Sequence, residues 1–166
     1  MSKKDLIRNY IIHNSEKLKI NSNDIKIGDV FLALQGIHQH GNDFLNESIK
    51  NGAKYCLTDK KINKQKNNKK ILYVSNLISF LNKIAIKKRK LFKGIVIGIT
   101  GSAGKTTLKE TLIFFLIKKF KVSLSYKSYN NLLGVTISIL NLNLQSKYAI
   151  FELGTNNFGE IRNLVK

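Results

Sequence analysis

Apolar positions along the first ninety residues change period several times, and each change marks an element. Leu6, Ile7, Tyr10, Ile11 and Leu18 recur at helical spacing, which predicts an amphipathic helix within residues 3–18. After the polar stretch "NSND", Gly28 and Asp29 give a turn signal ahead of the apolar run Val30 to Leu34, a buried strand. "NDFLNESIKNGA" returns to the helical period. Asn42 or Asp43 is placed to cap it, Phe44, Leu45, Ser48 and Ile49 share its inward face, and Gly52 ends it. "AKYCLTD" and "ILYVS" are short strands flanking a lysine-rich loop. Ser75 is the expected cap of a helix from 76 to about 90, striped by Leu77, Phe80, Leu81, Ile84 and Ala85.

The second half opens with "GIVIGIT", a continuous apolar strand of the kind buried on both faces of a parallel sheet. A glycine loop, a helix over 105–119 and the strand "KVSLS" follow. "NNLLGVTISILNL" is ambiguous between helix and strand, because its β-branched residues oppose a helical placement. "YAIFELG" is another buried strand, and "FGEIRNLVK" starts a helix. This alternation predicts an α/β protein. Its expected parts are a small N-terminal α/β domain over 1–75, a connecting helix over 76–93, and over 94–166 the first part of a doubly wound parallel sheet.

Composition narrows the class. The longest apolar runs are of strand length, well short of the roughly 20 residues a membrane span needs, so no span is expected. "MSKKDLIRNYIIHNSEK" lacks the long apolar core and small-residue cleavage site of a secretion signal. Cys56 is the only cysteine and has no partner for an internal disulfide, in keeping with a reducing, cytoplasmic setting and a buried place on a strand. The formal charge of +19 ordinarily suggests nucleic acid. Here the lysines are spread along the chain beside abundant Asn and Ile. The dense run "KKINKQKNNKK" lacks the aromatics of a base-stacking surface and reads as a solvated loop. Such a charge would still attract an anionic nucleotide.

The chemistry concentrates in "VIGITGSAGKTT". A glycine loop between a buried strand and a helix aims backbone N–H groups at one point, at the positive end of the helix dipole, and so at a phosphate. Gly101 and Gly104 permit close approach, Lys105 can reach the β and γ phosphates, and the Thr106 hydroxyl can hold Mg²⁺. Ser102, Ala103 and Thr107 complete the candidate ATP loop. Ile99 stands where the strict G-x-x-x-x-G-K-[ST] pattern has its first glycine, so the local form is G-x-x-G-K-T. A metal site needs a further hard oxygen. Glu152, ending the strand "YAIFELG", lies where a parallel sheet presents ligand groups at its carboxyl edge. His13, His38 and His40 have no metal-ligand spacing and are assigned to surface or core.

Several stretches together resemble the Mur ligases of cell-wall synthesis. "GITGSAGKTTLKE" is similar to that family's ATP loop, with Ala103 where Asn is common. "SYNNLLGVTISIL" is similar to its Asn-Asn-x-x-Gly-Val-Pro segment, with Thr136 for the proline. "FELGTNNFGEI" is similar to its Glu-Leu-Gly-x-Asn-His-x-Gly-Glu-Ile segment, with Asn157 for the histidine. The first domain looks like the family's uridine-nucleotide-binding domain, with Ser22 at the serine of an Asp-Ser-Arg motif and Asn21 and Asn23 beside it. The resemblance implies that ATP phosphorylates the terminal carboxylate of UDP-N-acetylmuramoyl-tripeptide and that the amine of D-alanyl-D-alanine attacks the acyl phosphate. It also implies that Lys105 and Glu152 act in catalysis, Thr106 and Glu152 hold Mg²⁺, Asn130 and Asn131 lie near substrate, and Ser22 contacts the uridine nucleotide.

Family members continue well beyond the equivalent of Lys166, so the 166-residue polypeptide is expected not to complete the reaction alone. A second chain supplying the missing domains is one arrangement, and a truncated reading frame another. A Mur ligase adding a different amino acid, and a non-catalytic nucleotide-binding or nucleic-acid-binding remnant, are the alternative readings.

Overall fold

The computed structural model describes residues 1–61, 68–125 and 131–154. Two compact units, Met1–Ile84 and Ala85–Lys166, divide the chain. Among the described residues no helix is long and apolar enough to cross a membrane.

The first unit opens with helix α1 (Lys3–His13), where the Ser2 hydroxyl accepts the Asp5 N–H and Ile7, Ile11 and Ile12 are buried. The helix is shorter than the periodicity of 3–18 suggests. Asn14 donates from both backbone and side chain to the Tyr10 carbonyl, closing the last turn, and Glu16 takes φ 59°. Leu18 is therefore not on the helix but on strand β1 (Leu18–Lys19). Strands β2 (Val30–Ala33), β3 (Tyr55–Thr58) and β4 (Ile71–Tyr73) complete an all-parallel sheet in the order β1-β2-β3-β4. Phe31 lies opposite Cys56 and Cys56 opposite Ile71. These residues, with Ala33, pack against Leu45 of helix α2 (Leu45–Lys50). Val30 and Leu32 alternate to the other face and are equally buried, so both faces are covered, as a parallel sheet requires.

Two caps differ from expectation. Neither Asn42 nor Asp43 opens the α2 segment. His40 does so, its Nδ1 accepting the Asn42 N–H at 3.0 Å to start a 3-10 turn over Gly41–Phe44. The Asn42 side chain is occupied elsewhere, by the Thr58 hydroxyl and the Lys60 carbonyl. Helix α3 (Leu77–Leu91) is capped by Asn76 rather than Ser75, through its Oδ1 and the Ser79 N–H at 2.8 Å.

The second unit contains strands β5 (Ile95–Ile99), β6 (Val122–Leu124) and β7 (Tyr148–Glu152), parallel and in the order β5-β7-β6. Helix α4 (Lys105–Leu116) stops three residues short of expectation, where the Lys119 N–H turns back to the Leu116 carbonyl. The ambiguous "NNLLGVTISILNL" segment is helix α5 (Leu132–Asn141). Its Thr136 and Ser138 hydroxyls donate to the Leu132 and Gly134 carbonyls, so polar and β-branched residues are buried inside a helix with their hydrogen bonds satisfied. A helix buried on nearly all sides shows no clear apolar stripe.

Lys88, part of the basic run "KKRK", is fully buried. Its Nζ donates at 2.6 Å to the Leu140 carbonyl, one of the last carbonyls of α5, where the helix dipole is negative. Burial lowers its pKa from 10.5 to about 8. The folded protein therefore holds fewer protons than the unfolded chain between those values, and this group makes stability rise with pH across that window. Urea denaturation should show a gain of about 2 kcal/mol between pH 8 and 10, at a ceiling of about 1.4 kcal/mol per pH unit. Lys88→Met should flatten that rise.

Candidate nucleotide-binding site

Strand register builds the site. β7 lies between β5 and β6, and Ile99 pairs with Glu152. The Leu153 N–H donates to the Ile99 carbonyl at 2.8 Å. The last residue of β5 is thus locked beside the carboxylate that ends the central strand. Gly101 takes φ 151° and Gly104 φ 76°, both in the region that favours glycine. Gly104 is the N-cap of α4 and offers no side-chain cap, so the N–H groups of the helix's first turn face the loop. Ser102 and Ala103 are exposed on the rim, and Thr107 is exposed on the first turn.

Cationic and hydroxyl side chains of α4 make the polar contacts of the site. Lys105 reaches back over the loop, its Nζ donating to the Gly101 carbonyl at 2.6 Å. The Thr106 hydroxyl donates to Glu152 Oε2 at 3.3 Å, and Lys109 Nζ donates to the same oxygen at 3.1 Å. Glu152 is 4% exposed and Lys109 9%. Among the described residues no other ion pair has both partners this buried. Breaking such a pair by removing one member costs about 3–5 kcal/mol, because the remaining charge stays buried alone. Lys109 is the site residue that the loop motif alone does not mark. The signal was present in its spacing, three after Thr106 and four after Lys105, which sets all three on adjoining positions of one helix face.

A divalent ion fits this donor set. Two oxygens bound at about 2.1 Å and at right angles to one Mg²⁺ lie about 3 Å apart, close to the Thr106–Glu152 separation. Among the described residues no three His, Cys, Asp or Glu side chains gather to hold a metal, so Thr106 and Glu152 are the oxygens this loop would offer one. His40 is held in a structural contact, 3.3 Å from Asp59.

The other candidates are dispersed. Asn131 caps α5, its Oδ1 accepting the Gly134 N–H at 2.8 Å. Asn130, Asn157 and the segment "FGEIRNLVK" lie outside the described residues. Ser22 belongs to the first unit, buried in a 3-10 turn that follows β1, at the carboxyl end of that strand. The Asn51 side chain donates to its carbonyl at 3.1 Å.

Known proteins share this fold. A family model described as the Mur ligase family, catalytic domain, matches residues 15–90, and one described as the Mur ligase middle domain matches residues 99–166. The chain belongs to the Mur ligase family. It is 41% identical over 154 residues to the UDP-N-acetylmuramoyl-tripeptide–D-alanyl-D-alanine ligase of Rickettsia prowazekii, covering 92% of this chain and 34% of that protein. The ligase of the same name from Buchnera aphidicola is 39% identical over 127 residues, covering 76% and 27%. Among solved structures, the MurF ligase of Thermotoga maritima in complex with ADP is 32% identical with a TM-score of 0.71, covering 93% of this chain and 35% of that one. The corresponding Acinetobacter baumannii ligase is 30% identical with a TM-score of 0.73, covering 92% and 34%. This Mur ligase chain spans about a third of the length of the relatives it matches.

The loop yields a direct test of its backbone. A Cβ at Gly104 would meet no atom within 4 Å, so Gly104→Ala isolates the left-handed conformation from any clash. The substitution should lower stability by about 1–2 kcal/mol in urea denaturation.

Proposed function

We propose that this chain is the nucleotide-binding part of an ATP-dependent amide ligase that joins D-alanyl-D-alanine to UDP-N-acetylmuramoyl-tripeptide in cytoplasmic cell-wall precursor synthesis. The observation that carries the reading is the convergence of the glycine loop, Lys105 and the Thr106–Glu152 pair at the carboxyl end of one parallel sheet. The names of the relatives support the choice of substrates.

In this reading the N–H groups around Gly101 to Thr107 cradle the phosphates, and Lys105 exchanges the Gly101 carbonyl for the β and γ phosphates. Thr106 and Glu152 hold Mg²⁺, which supplies charge neutralisation on the transferring phosphoryl group. A free carboxylate is a poor electrophile. Transfer of the γ phosphate to it creates a leaving group, and the incoming amine then forms the amide with loss of phosphate. By the family pattern Asn131, and Asn130 outside the described residues, would serve substrate binding, and Ser22 would contribute to the uridine-nucleotide site of the first domain. The connecting helix over 76–93 joins that domain to the ATP-binding one.

The complete reaction requires the part of the relatives that this chain does not span. Exposed apolar side chains at the end of α4, Phe114 and Phe115, with Ile117 just after it, suit a surface covered by further polypeptide, whether in the same chain or a second one. Titration calorimetry tests the nucleotide site. ADP with Mg²⁺ should bind the purified chain, and Lys105→Ala should reduce that affinity at least tenfold. Association with DNA that falls steeply with salt and survives Lys105→Ala, in a chain that does not bind ADP, would instead favour the nucleic-acid reading suggested by the +19 charge.

A further inference from the structure

The mechanism above uses Glu152 and Thr106 but leaves Lys109 without a part, although Lys109 is the most deeply placed cation of the site. Both of its observed properties are unusual for a lysine. It is nearly excluded from water, and its ammonium sits on one particular oxygen of Glu152, the Oε2 that also accepts from Thr106. That oxygen is the one a metal held between Thr106 and Glu152 would need. Lysine is a compact point charge on a flexible stem, suited to being moved off such a position.

We propose that Lys109 is an internal counter-cation that occupies the metal-binding oxygen of Glu152 in the nucleotide-free protein and so excludes a free divalent ion. The proposal rests on the reading of Thr106 and Glu152 as the metal site. An ion bound to Oε2 while Lys109 keeps its place would face an ammonium only a few ångströms away in a poorly screened interior, where like charges repel strongly. Metal entry therefore requires Lys109 to leave Oε2. A metal arriving on a nucleotide brings phosphate oxygens that offset the added charge, whereas a bare ion does not. The loop is closed in the same manner on its other side, where Lys105 occupies the Gly101 carbonyl. Lys109 acts through Glu152 and is a positioning residue: it keeps the carboxylate aimed while the site is empty and makes the metal enter as a nucleotide complex.

The probe is Mn²⁺ alone, its free concentration read by electron paramagnetic resonance against the nucleotide-free 166-residue chain. Lys109→Met should bind Mn²⁺ at least tenfold more tightly than the unaltered chain, and Lys109→Arg, which keeps the charge, should not. Adding Glu152→Gln to Lys109→Met should remove the gain. If Lys109→Met binds no more tightly while Glu152→Gln alone weakens binding of Mn²⁺ with ADP, the metal site stands and the role of Lys109 is overturned. If Glu152→Gln leaves Mn²⁺ binding with ADP unchanged, the metal-site reading itself fails. Should Lys109→Met not fold, the unaltered protein decides. In ¹⁵N-lysine spectra the Lys109 ammonium signal should shift when Mg²⁺ and ADP are added together and stay in place with Mg²⁺ alone, and a signal unmoved by the complex would overturn the proposal.

Discussion

The pairing of Ile99 with Glu152 is the constraint on which the site depends. A parallel sheet in which the last described strand enters the middle brings two distant segments into one register, and here it sets the end of β7 beside the end of β5, which leads into the glycine loop. A slip of one residue would turn Glu152 to the other face of the sheet, because side chains alternate along a strand. The buried run from Ala149 to Phe151 and its place in the core cluster with Val135, Leu142 and Leu153 resist that slip. Packing of ordinary apolar residues thereby fixes the position of a carboxylate to within hydrogen-bonding distance of Thr106 and Lys109.

Several polar side chains are spent on the ends of elements. Lys88 meets a terminal carbonyl of α5, Asn131 meets its opening N–H groups, His40 starts a turn, and Asn76 starts α3. Each supplies a partner that the backbone lacks at a terminus, where the regular hydrogen-bond ladder runs out. The same deficit at the start of α4 has no side-chain answer, because Gly104 contributes none. That helix start differs from its neighbours in leaving its donors available to a ligand, and it follows a loop whose glycines permit close approach.

Legibility in the sequence followed how local the determining interaction was. The strands "GIVIGIT" and "YAIFELG" and the loop between strand and helix were readable, because continuous apolar runs and glycine spacing are local signals, but β5 lies at the edge of its three-stranded sheet with Ile95 half-exposed rather than buried on both faces. Leu18 continued the helical period of α1 yet lies on β1, because Asn14 closes the helix first. The choice of Asn76 over Ser75 lies within the uncertainty of one residue that capping patterns carry. The helical state of α5 was obscured by Thr136 and Ser138, whose hydroxyls find partners only once the helix exists. Lys109 was visible as a spacing but not as a function, since its partner lies 43 residues away at the end of β7.

The excess of positive charge gains a narrower meaning from this arrangement. Composition alone pointed toward any polyanion, yet two of the lysines in question are consumed internally, Lys88 by a helix terminus and Lys109 by Glu152. The remainder create a positive field that draws anions toward the molecule and opposes the approach of free divalent cations. A nucleotide complex with magnesium keeps a net negative charge and is attracted by the same field. On the proposed metal-site reading, long-range electrostatics and the local occupation of Glu152 by Lys109 would act in one direction, both favouring a metal that arrives already bound to phosphate. A basic chain and a buried carboxylate, which look contradictory when read as separate features, are physically consistent with the proposed site for an anionic metal–nucleotide complex.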